Sequence, residues 1–222
     1  MGEGSTRTQA ALGRRAMLAG GAALLAAPAW AGMPDSRRIA FDVVRNGSRI
    51  GGHVLTFSPS GNRLDVGIAV DIEVKMMSLV LYRYSLRGRE RWEDGILVEA
   101  SAETQDGSDK AFMRAVRRDG RLQVEGSHGK PYTAPEGSLV ASHWNPAQMK
   151  APMINVQDGE LLDFKVASRG TEGIEVRGRR IDATHYGLTG PGTLDLWYDQ
   201  RQVWSQLRSV VRDGSTVEYR AV

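Results

Sequence analysis

The strongest pattern in this chain is a strict alternation of apolar and polar residues between positions 64 and 74. Every even position is apolar, and the odd positions are polar or small: Leu64, Val66, Ile68, Val70, Ile72 and Val74 alternate with Asp65, Gly67, Ala69, Asp71 and Glu73. A period of two predicts a β-strand with one buried and one solvated face, as in antiparallel sheets. At 3.3 Å per residue the strand would be about 36 Å long, so we expect it to bend within a curled sheet.

Turn signals divide the rest of the chain into further strands. Six dipeptides suit the positive φ angles of tight hairpins: Asn46-Gly47, Asp94-Gly95, Asp106-Gly107, Asp119-Gly120, Asp158-Gly159 and Asp213-Gly214. The segments between the turn signals predict thirteen strands, at about 38–45, 49–58, 62–75, 79–93, 96–105, 110–118, 121–127, 160–168, 172–179, 181–189, 193–199, 202–212 and 215–221.

Only one segment favours a helix. Asn145-Pro146-Ala147-Gln148 offers an N-cap, a proline at the first helical position and a glutamine at the third. We therefore predict an all-β fold, a single antiparallel sheet curled into an open or spiral β-barrel, with one short helix. Residues 32–222 are predicted to form one domain.

The first 31 residues predict an export signal. Arg14 and Arg15 precede a short, weakly apolar stretch at 16–28, and Ala29-Trp30-Ala31 places small residues before a cut at Gly32. The order Arg14-Arg15-Ala16-Met17-Leu18 favours the twin-arginine route, although adjacent arginines also occur in ordinary signals. We expect a periplasmic protein, cleaved after Ala31, with no transmembrane segment in the mature chain.

Composition excludes several function classes. Removing the signal takes away three arginines and one glutamate, which lowers the formal net charge from +3 to +1. This balance does not favour nucleic acid as a partner. The chain has no cysteine, which excludes disulfides, a thiol nucleophile and thiolate metal sites. The four histidines, His53, His128, His143 and His185, are far apart in sequence, so no metal or cofactor is predicted, and only a site assembled across strands stays open.

Several short motifs, taken in order, carry a family resemblance. They are Tyr82-Arg83-Tyr84, Glu90-Arg91-Trp92, Ser142-His143-Trp144-Asn145-Pro146, residues 155–163 and Leu194-Asp195-Leu196-Trp197-Tyr198-Asp199. Together they resemble an uncharacterised family of exported proteobacterial proteins, domain of unknown function 6134. The chain is more distantly similar to spiral β-barrel envelope proteins and to lipoprotein-carrier-like folds. The resemblance implies a wrapped sheet and a periplasmic location, and it implies no catalytic residue.

The candidate binding site is a pocket rim beside the longest predicted loop, at 128–138. Ser142, His143, Trp144 and Asn145 combine a hydroxyl, an imidazole, an indole and an amide, and Trp197 and Tyr198 are aromatic candidates for the same rim. The structural alternative is that Asn145 caps the short helix and Trp144 closes the barrel end.

A second candidate segment breaks the alternation. Met76 and Met77 begin an apolar run that ends at Leu81. Such a run would line a hydrophobic cavity at the barrel mouth, where flexible methionines suit apolar ligands, or would be core at a strand bend.

Two functions remain open at this point. The first is a non-catalytic, envelope-associated binding or structural protein with an apolar interior, whose partner is a hydrophobic small molecule such as a lipid or an envelope component. The alternative is a periplasmic hydrolase of glycans or esters, which would use carboxylates and His143 beside aromatic residues. The carboxylates Glu90, Glu93, Asp94, Asp195 and Asp199 also fit a solvated strand face or a turn.

Overall fold

The computed structural model describes Met1 and residues 30–77, 79–211 and 213–222. The predicted export signal falls almost wholly on residues 2–29, outside the described residues, and the side chain of Met76 is likewise not described.

Sixteen β-strands and one 3₁₀ helix make up the described part of the chain. The strands are β1 (Arg38–Arg45), β2 (Ser48–Ser60), β3 (Arg63–Met76), β4 (Leu79–Glu93), β5 (Ile96–Asp106), β6 (Asp109–Arg118), β7 (Arg121–Gly126), β8 (Tyr132–Thr133), β9 (Leu139–Val140), β10 (Met153–Ile154), β11 (Leu161–Leu162), β12 (Lys165–Val176), β13 (Arg179–Thr189), β14 (Thr193–Asp199), β15 (Trp204–Val210) and β16 (Thr216–Ala221). The 3₁₀ helix covers Pro146–Lys150.

Thirteen of these strands form one antiparallel sheet with the order β12-β13-β14-β15-β16-β1-β2-β3-β4-β5-β6-β7-β8. Strands β1 and β16 pair in the middle of the sheet, where Phe41 lies opposite Ala221. The two edges, β8 and β12, do not pair with each other among the described residues. The sheet is therefore an open barrel, which confirms the predicted fold class.

The predicted alternation along β3 is present. Leu64, Val66, Ile68 and Val70 are buried, and they belong to one apolar core that includes residues from both halves of the sheet. Asp71, on the opposite face, is exposed. Burial of apolar strand faces such as this one is the main driving force for the curl, because a flat sheet would leave them in water.

The middle of the chain fills the curled sheet. Residues 134–164, here called the interior segment, leave edge strand β8 and return at edge strand β12. Strands β9, β10 and β11 form a small second sheet within it. Ala134, Trp144 and Ile154 are each at most 1% exposed and pack in the same core as the sheet. The segment that joins the two edges is thus the inner layer of the fold.

One strand prediction was wrong. The sequence suggested separate strands at 160–168 and 172–179, but β12 runs continuously from Lys165 to Val176. The register shifts between Ser168 and Gly170, and Gly170 has a φ of 89°. The glycine therefore supports a β-bulge, which bends the strand without ending it.

Three of the six predicted tight turns have the backbone that their residues predict, whereas at Asp106-Gly107, Asp158-Gly159 and Asp213-Gly214 only the glycine has positive φ. At Asn46-Gly47, Asp94-Gly95 and Asp119-Gly120 both residues have positive φ, as a type I′ hairpin turn requires. The short helix also begins where predicted, since Oδ1 of Asn145 accepts a hydrogen bond of 3.0 Å from the backbone N–H of Ala147.

Candidate functional site

A buried carboxyl group connects the interior segment to the wall of the sheet. The indole Nε1–H groups of Trp92, on β4, and Trp144, on the interior segment, both donate to Oε2 of Glu90 at 2.8 Å. Glu90 is 2% exposed, and the two indole rings meet edge to face at 5.3 Å. An indole can only donate and a carboxylate can only accept, so one oxygen satisfies both tryptophans.

The environment of Glu90 corrects its assignment to a solvated face. Burial raises the pKa of its carboxyl group, and hydrogen bonds from Ser142, Trp144 and Trp92 oppose that shift only in part. The sequence contained a signal for this position. Glu90 shares the parity of the buried residues Leu86 and Trp92 along β4, so the alternation itself points its side chain inward.

A second set of hydrogen bonds connects the interior segment to β14. The Nε2–H of Gln148 donates to the hydroxyl oxygen of Tyr198 at 3.0 Å, and the Tyr198 hydroxyl donates to the carbonyl oxygen of His143 at 2.8 Å. The backbone N–H of His143 donates to Oε1 of Gln148 at 3.2 Å. Gln148 and Tyr198 are almost fully buried. Residues 142–149 therefore bridge β4 and β14 across the interior.

A third cluster surrounds an imidazole that makes no hydrogen bond. His53, on β2, is 6% exposed, and neither ring nitrogen has a hydrogen-bond partner among the described residues. Trp204 and Tyr219 contact it edge to face at 5.3 and 5.6 Å. Burial, with a smaller contribution from nearby His143, lowers the pKa of His53 to about 3. Burial also lowers the pKa of His143 to about 4, so both rings are neutral at pH 7.

The predicted rim residues lie in different places. Ser142, His143, Trp144, Asn145 and Tyr198 come together around the bridge of the interior segment, where Ser142 and Trp144 are buried. His143 has a φ of 68°, a left-handed conformation that costs energy for any residue with a Cβ. Asn145 caps the 3₁₀ helix. Their role in binding a ligand stays a prediction.

Trp197 lies apart from that group, on the other face of β14. It stacks on His185 at 4.3 Å, and its Nε1–H donates to Oε1 of Glu172 at 2.7 Å. The two ring nitrogens of His185 lie 2.9 Å from Glu172 and 2.8 Å from Asp195. Successive residues of a strand point to opposite faces, so Trp197 and Tyr198 cannot line one pocket.

Met77 is also separate from the interior, and the interpretation of its segment as core was wrong. Met77, Leu79 and Leu81 are 93%, 62% and 54% exposed. Neighbouring strand β2 pairs with β3 only as far as Ile72, and β5 pairs with β4 only from Tyr84. Residues 73–83 are here called the projecting hairpin; apart from one bond at its base, from the Gly107 N–H to the carbonyl oxygen of Arg83, its strands pair only with each other. Four residues of β3 extend about 13 Å beyond the sheet.

The interior offers little room for an apolar ligand. A cavity that admits water would leave accessible surface on the side chains around it, yet Leu55, Leu64, Ile154, Leu188 and Leu196 are all 0% exposed. These residues come from both halves of the sheet and from the interior segment, so the packing is continuous across the centre. Space for a bound molecule therefore lies on the surface of the described fold.

Asp199, one of the five carboxylates considered for a hydrolase, makes hydrogen bonds within a turn. Oδ1 of Asp199 accepts hydrogen bonds from the backbone N–H groups of Arg201 at 2.9 Å and Val203 at 2.8 Å. These bonds close the turn between β14 and β15, as aspartate commonly does.

Within the part of the chain that the structure describes, one group of side chains could hold a metal ion. His128, after β7, lies near Asp158 and Glu160 of the loop between β10 and β11, and one donor atom from each falls within 4.8 Å of the others. The sequence did not reveal this group because His128 is thirty or more positions away from its neighbours, and only the packing of two loops joins them.

Comparisons with known proteins identify the fold and a family. A family model described as domain of unknown function DUF6134 matches residues 41–222. The crystal structure of a beta-barrel-like protein of domain of unknown function DUF1849 from Brucella abortus is similar, with a TM-score of 0.59 and 10% identity, over 83% of this chain and 94% of that one. No curated protein matches the chain. At this identity the likeness shows a shared fold alone.

Proposed function

Since the chain belongs to DUF6134, a family described without an activity, we propose its function from the geometry: a non-catalytic protein of the cell envelope that docks on a membrane surface through its projecting hairpin. The twin-arginine segment at 1–31 would export it to the periplasm, where such a surface is available.

The observation that carries the proposal is the exposure of large apolar side chains at one projecting point. Met77, Leu79 and Leu81 lie together on the hairpin. Soluble folds keep such residues scattered, and a cluster of them marks an interaction site. The filled interior supports the same conclusion, because it leaves an apolar partner to bind outside the sheet.

The charge of the hairpin suits an anionic lipid surface. Glu73 forms ion pairs with both Lys75 and Arg83 at 2.5 and 2.8 Å, so one positive charge remains in excess next to the apolar residues. Basic groups beside an apolar insertion strengthen binding to anionic headgroups by about 1 kcal/mol each. No helix in the described part of the chain combines the length and apolar character needed to span a bilayer.

The expected binding energy is modest and measurable. Weighted by their exposure, burial of the three side chains in the lipid interface would contribute about 4 kcal/mol at roughly 2 kcal/mol per side chain. Replacing Met77 and Leu79 with serine removes about 3 kcal/mol of this, which is about a hundredfold in affinity.

Vesicle flotation tests the proposal. The full chain should bind vesicles of phosphatidylethanolamine and phosphatidylglycerol, and the Met77→Ser/Leu79→Ser variant should lose that binding. The matched control is Ile96→Ser/Val210→Ser, which changes two residues of 50% and 51% exposure outside the hairpin and should bind like the parent. Equal binding of the two double variants, or no binding of the parent, would contradict the proposal.

A further inference from the structure

Three side chains near the end of β7, those of His128, Asp158 and Glu160, lie close together in the fold. Nε2 of His128 lies 3.8 Å from Oε1 of Glu160. The Asp158 carboxylate completes the group within 4.8 Å. The distance between imidazole and carboxylate exceeds a hydrogen bond, which leaves space between the donor atoms. Asp158 and Glu160 are half-buried and His128 is exposed, so the group is open to solvent on one side.

Backbone contacts hold the two loops in place. The N–H of His128 donates to the carbonyl oxygen of Asp158 at 3.1 Å, and the N–H of Glu160 donates to Oδ1 of Asp158 at 3.0 Å. The Tyr132 hydroxyl donates to the carbonyl oxygen of Gly159 at 2.8 Å. These three contacts hold the backbones of the two loops close together.

A glycine makes this close approach possible. A Cβ on Gly126, at the end of β7, would overlap the backbone carbonyl of Asp158. Any other residue at that position would push the loop at 155–160 away from β7 and separate His128 from the two carboxylates. Preorganisation of this kind lowers the cost of binding, since no loop has to become ordered.

The site carries negative charge with little compensation. Among the residues that the structure describes, neither Asp158 nor Glu160 has an arginine or lysine nitrogen within 4.0 Å, and His128 is the only basic partner. A cation between the three donors would relieve the repulsion of the two carboxylates.

We propose that His128, Asp158 and Glu160 bind a divalent transition-metal ion, with Zn²⁺ as the ion that the donor set fits best. An imidazole nitrogen with two carboxylate oxygens matches zinc ligation, whereas Ca²⁺ and Mg²⁺ prefer oxygen donors throughout. Three protein ligands leave a fourth position for water on the solvent side.

Equilibrium binding to the full chain tests the site, with zinc chloride as the probe in isothermal titration calorimetry. We expect one ion per chain. Binding should be at least about tenfold weaker in His128→Ala and in Glu160→Gln, because loss of a residue that only hydrogen-bonds to a metal ligand already weakens binding by about that factor. Asp158→Asn should weaken binding in the same way, while its amide oxygen keeps the hydrogen bond from Glu160. Glu136→Gln, on an exposed residue of the preceding loop, is the matched control and should bind like the parent.

A second measurement separates loss of a ligand from loss of the fold. Cobalt chloride should give a visible absorption band with the parent and the control, but not with His128→Ala, although all of them unfold at the same temperature without metal. The proposal is overturned if zinc does not bind, if His128→Ala binds as tightly as the parent, or if magnesium chloride competes at equal concentration.

Discussion

Truncation of Glu90 should be among the most damaging single changes in this protein. In Glu90→Ala the indole N–H groups of Trp92 and Trp144 both lose their acceptor, which lies 2.8 Å away in the parent. Each buried donor left without a partner costs about 1–3 kcal/mol, so we expect a loss of about 4 kcal/mol. That is a large share of the roughly 5–15 kcal/mol by which a domain is stable.

Glu90→Gln should behave differently, because an amide oxygen can accept both indole bonds. We expect a change below about 1 kcal/mol, as for a replacement that leaves both donors paired. The sign of the pH dependence follows from the raised pKa of Glu90. The folded protein holds this proton more tightly than the unfolded chain, so the contribution of Glu90 to stability is greatest below its ordinary pKa of 4.5. This contribution declines as the pH rises toward the folded-state pKa of Glu90. Over that pH range the Glu90→Gln variant should therefore become more stable relative to the parent.

Urea unfolding followed by tryptophan fluorescence measures these differences. With a slope of about 1–3 kcal/mol per molar urea, Glu90→Ala should lower the midpoint by about 2 M. The exposed neighbour Glu93 provides the control, since Glu93→Ala should leave the midpoint nearly unchanged. Equal midpoints for Glu90→Ala and Glu93→Ala, or equal losses for Glu90→Ala and Glu90→Gln, would refute the carboxylate bridge.

Two further changes probe the interior and the loop contact. The depressed pKa of His53, about 3, means that the folded state binds fewer protons than the unfolded chain below pH 6.5, so its contribution to stability falls by about 2 kcal/mol between pH 7 and pH 5. In His53→Phe the free energy of unfolding should differ less between pH 7 and pH 5 than in the parent, as measured by urea unfolding at both pH values. An equal difference in the variant and the parent would disprove the burial of His53 as a neutral ring. Gly126→Ala should lower the stability by about 1–3 kcal/mol through overlap of the new Cβ with Asp158, as measured by thermal unfolding. Gly192→Ala is the control and should leave the stability nearly unchanged, because a Cβ at that position has no atom within 4 Å.

Local patterns in the sequence determined the elements of the fold. The alternation through Val70, the dipeptides such as Asp94-Gly95 and the cap at Asn145 all act within a few residues, and each appears in the structure. These signals depend on side-chain direction and backbone sterics, which neighbouring residues settle. The curled, all-β class followed from them. The bulge at Gly170 was missed because a glycine with positive φ suits both a turn and a bulge.

The arrangement of those elements was decided by long-range packing. Nothing local indicates that β1 pairs with β16, that residues 134–164 fill the sheet, or that Trp144 reaches the Glu90 carboxylate. His128 lies near Asp158 and Glu160 only because Gly126 lets the two loops come into contact. Met77 lies outside the core because β3 and β4 extend beyond the residues that pair with β2 and β5. Burial rewards any arrangement that removes apolar area from water, so only the complete fold selects which distant residues become partners.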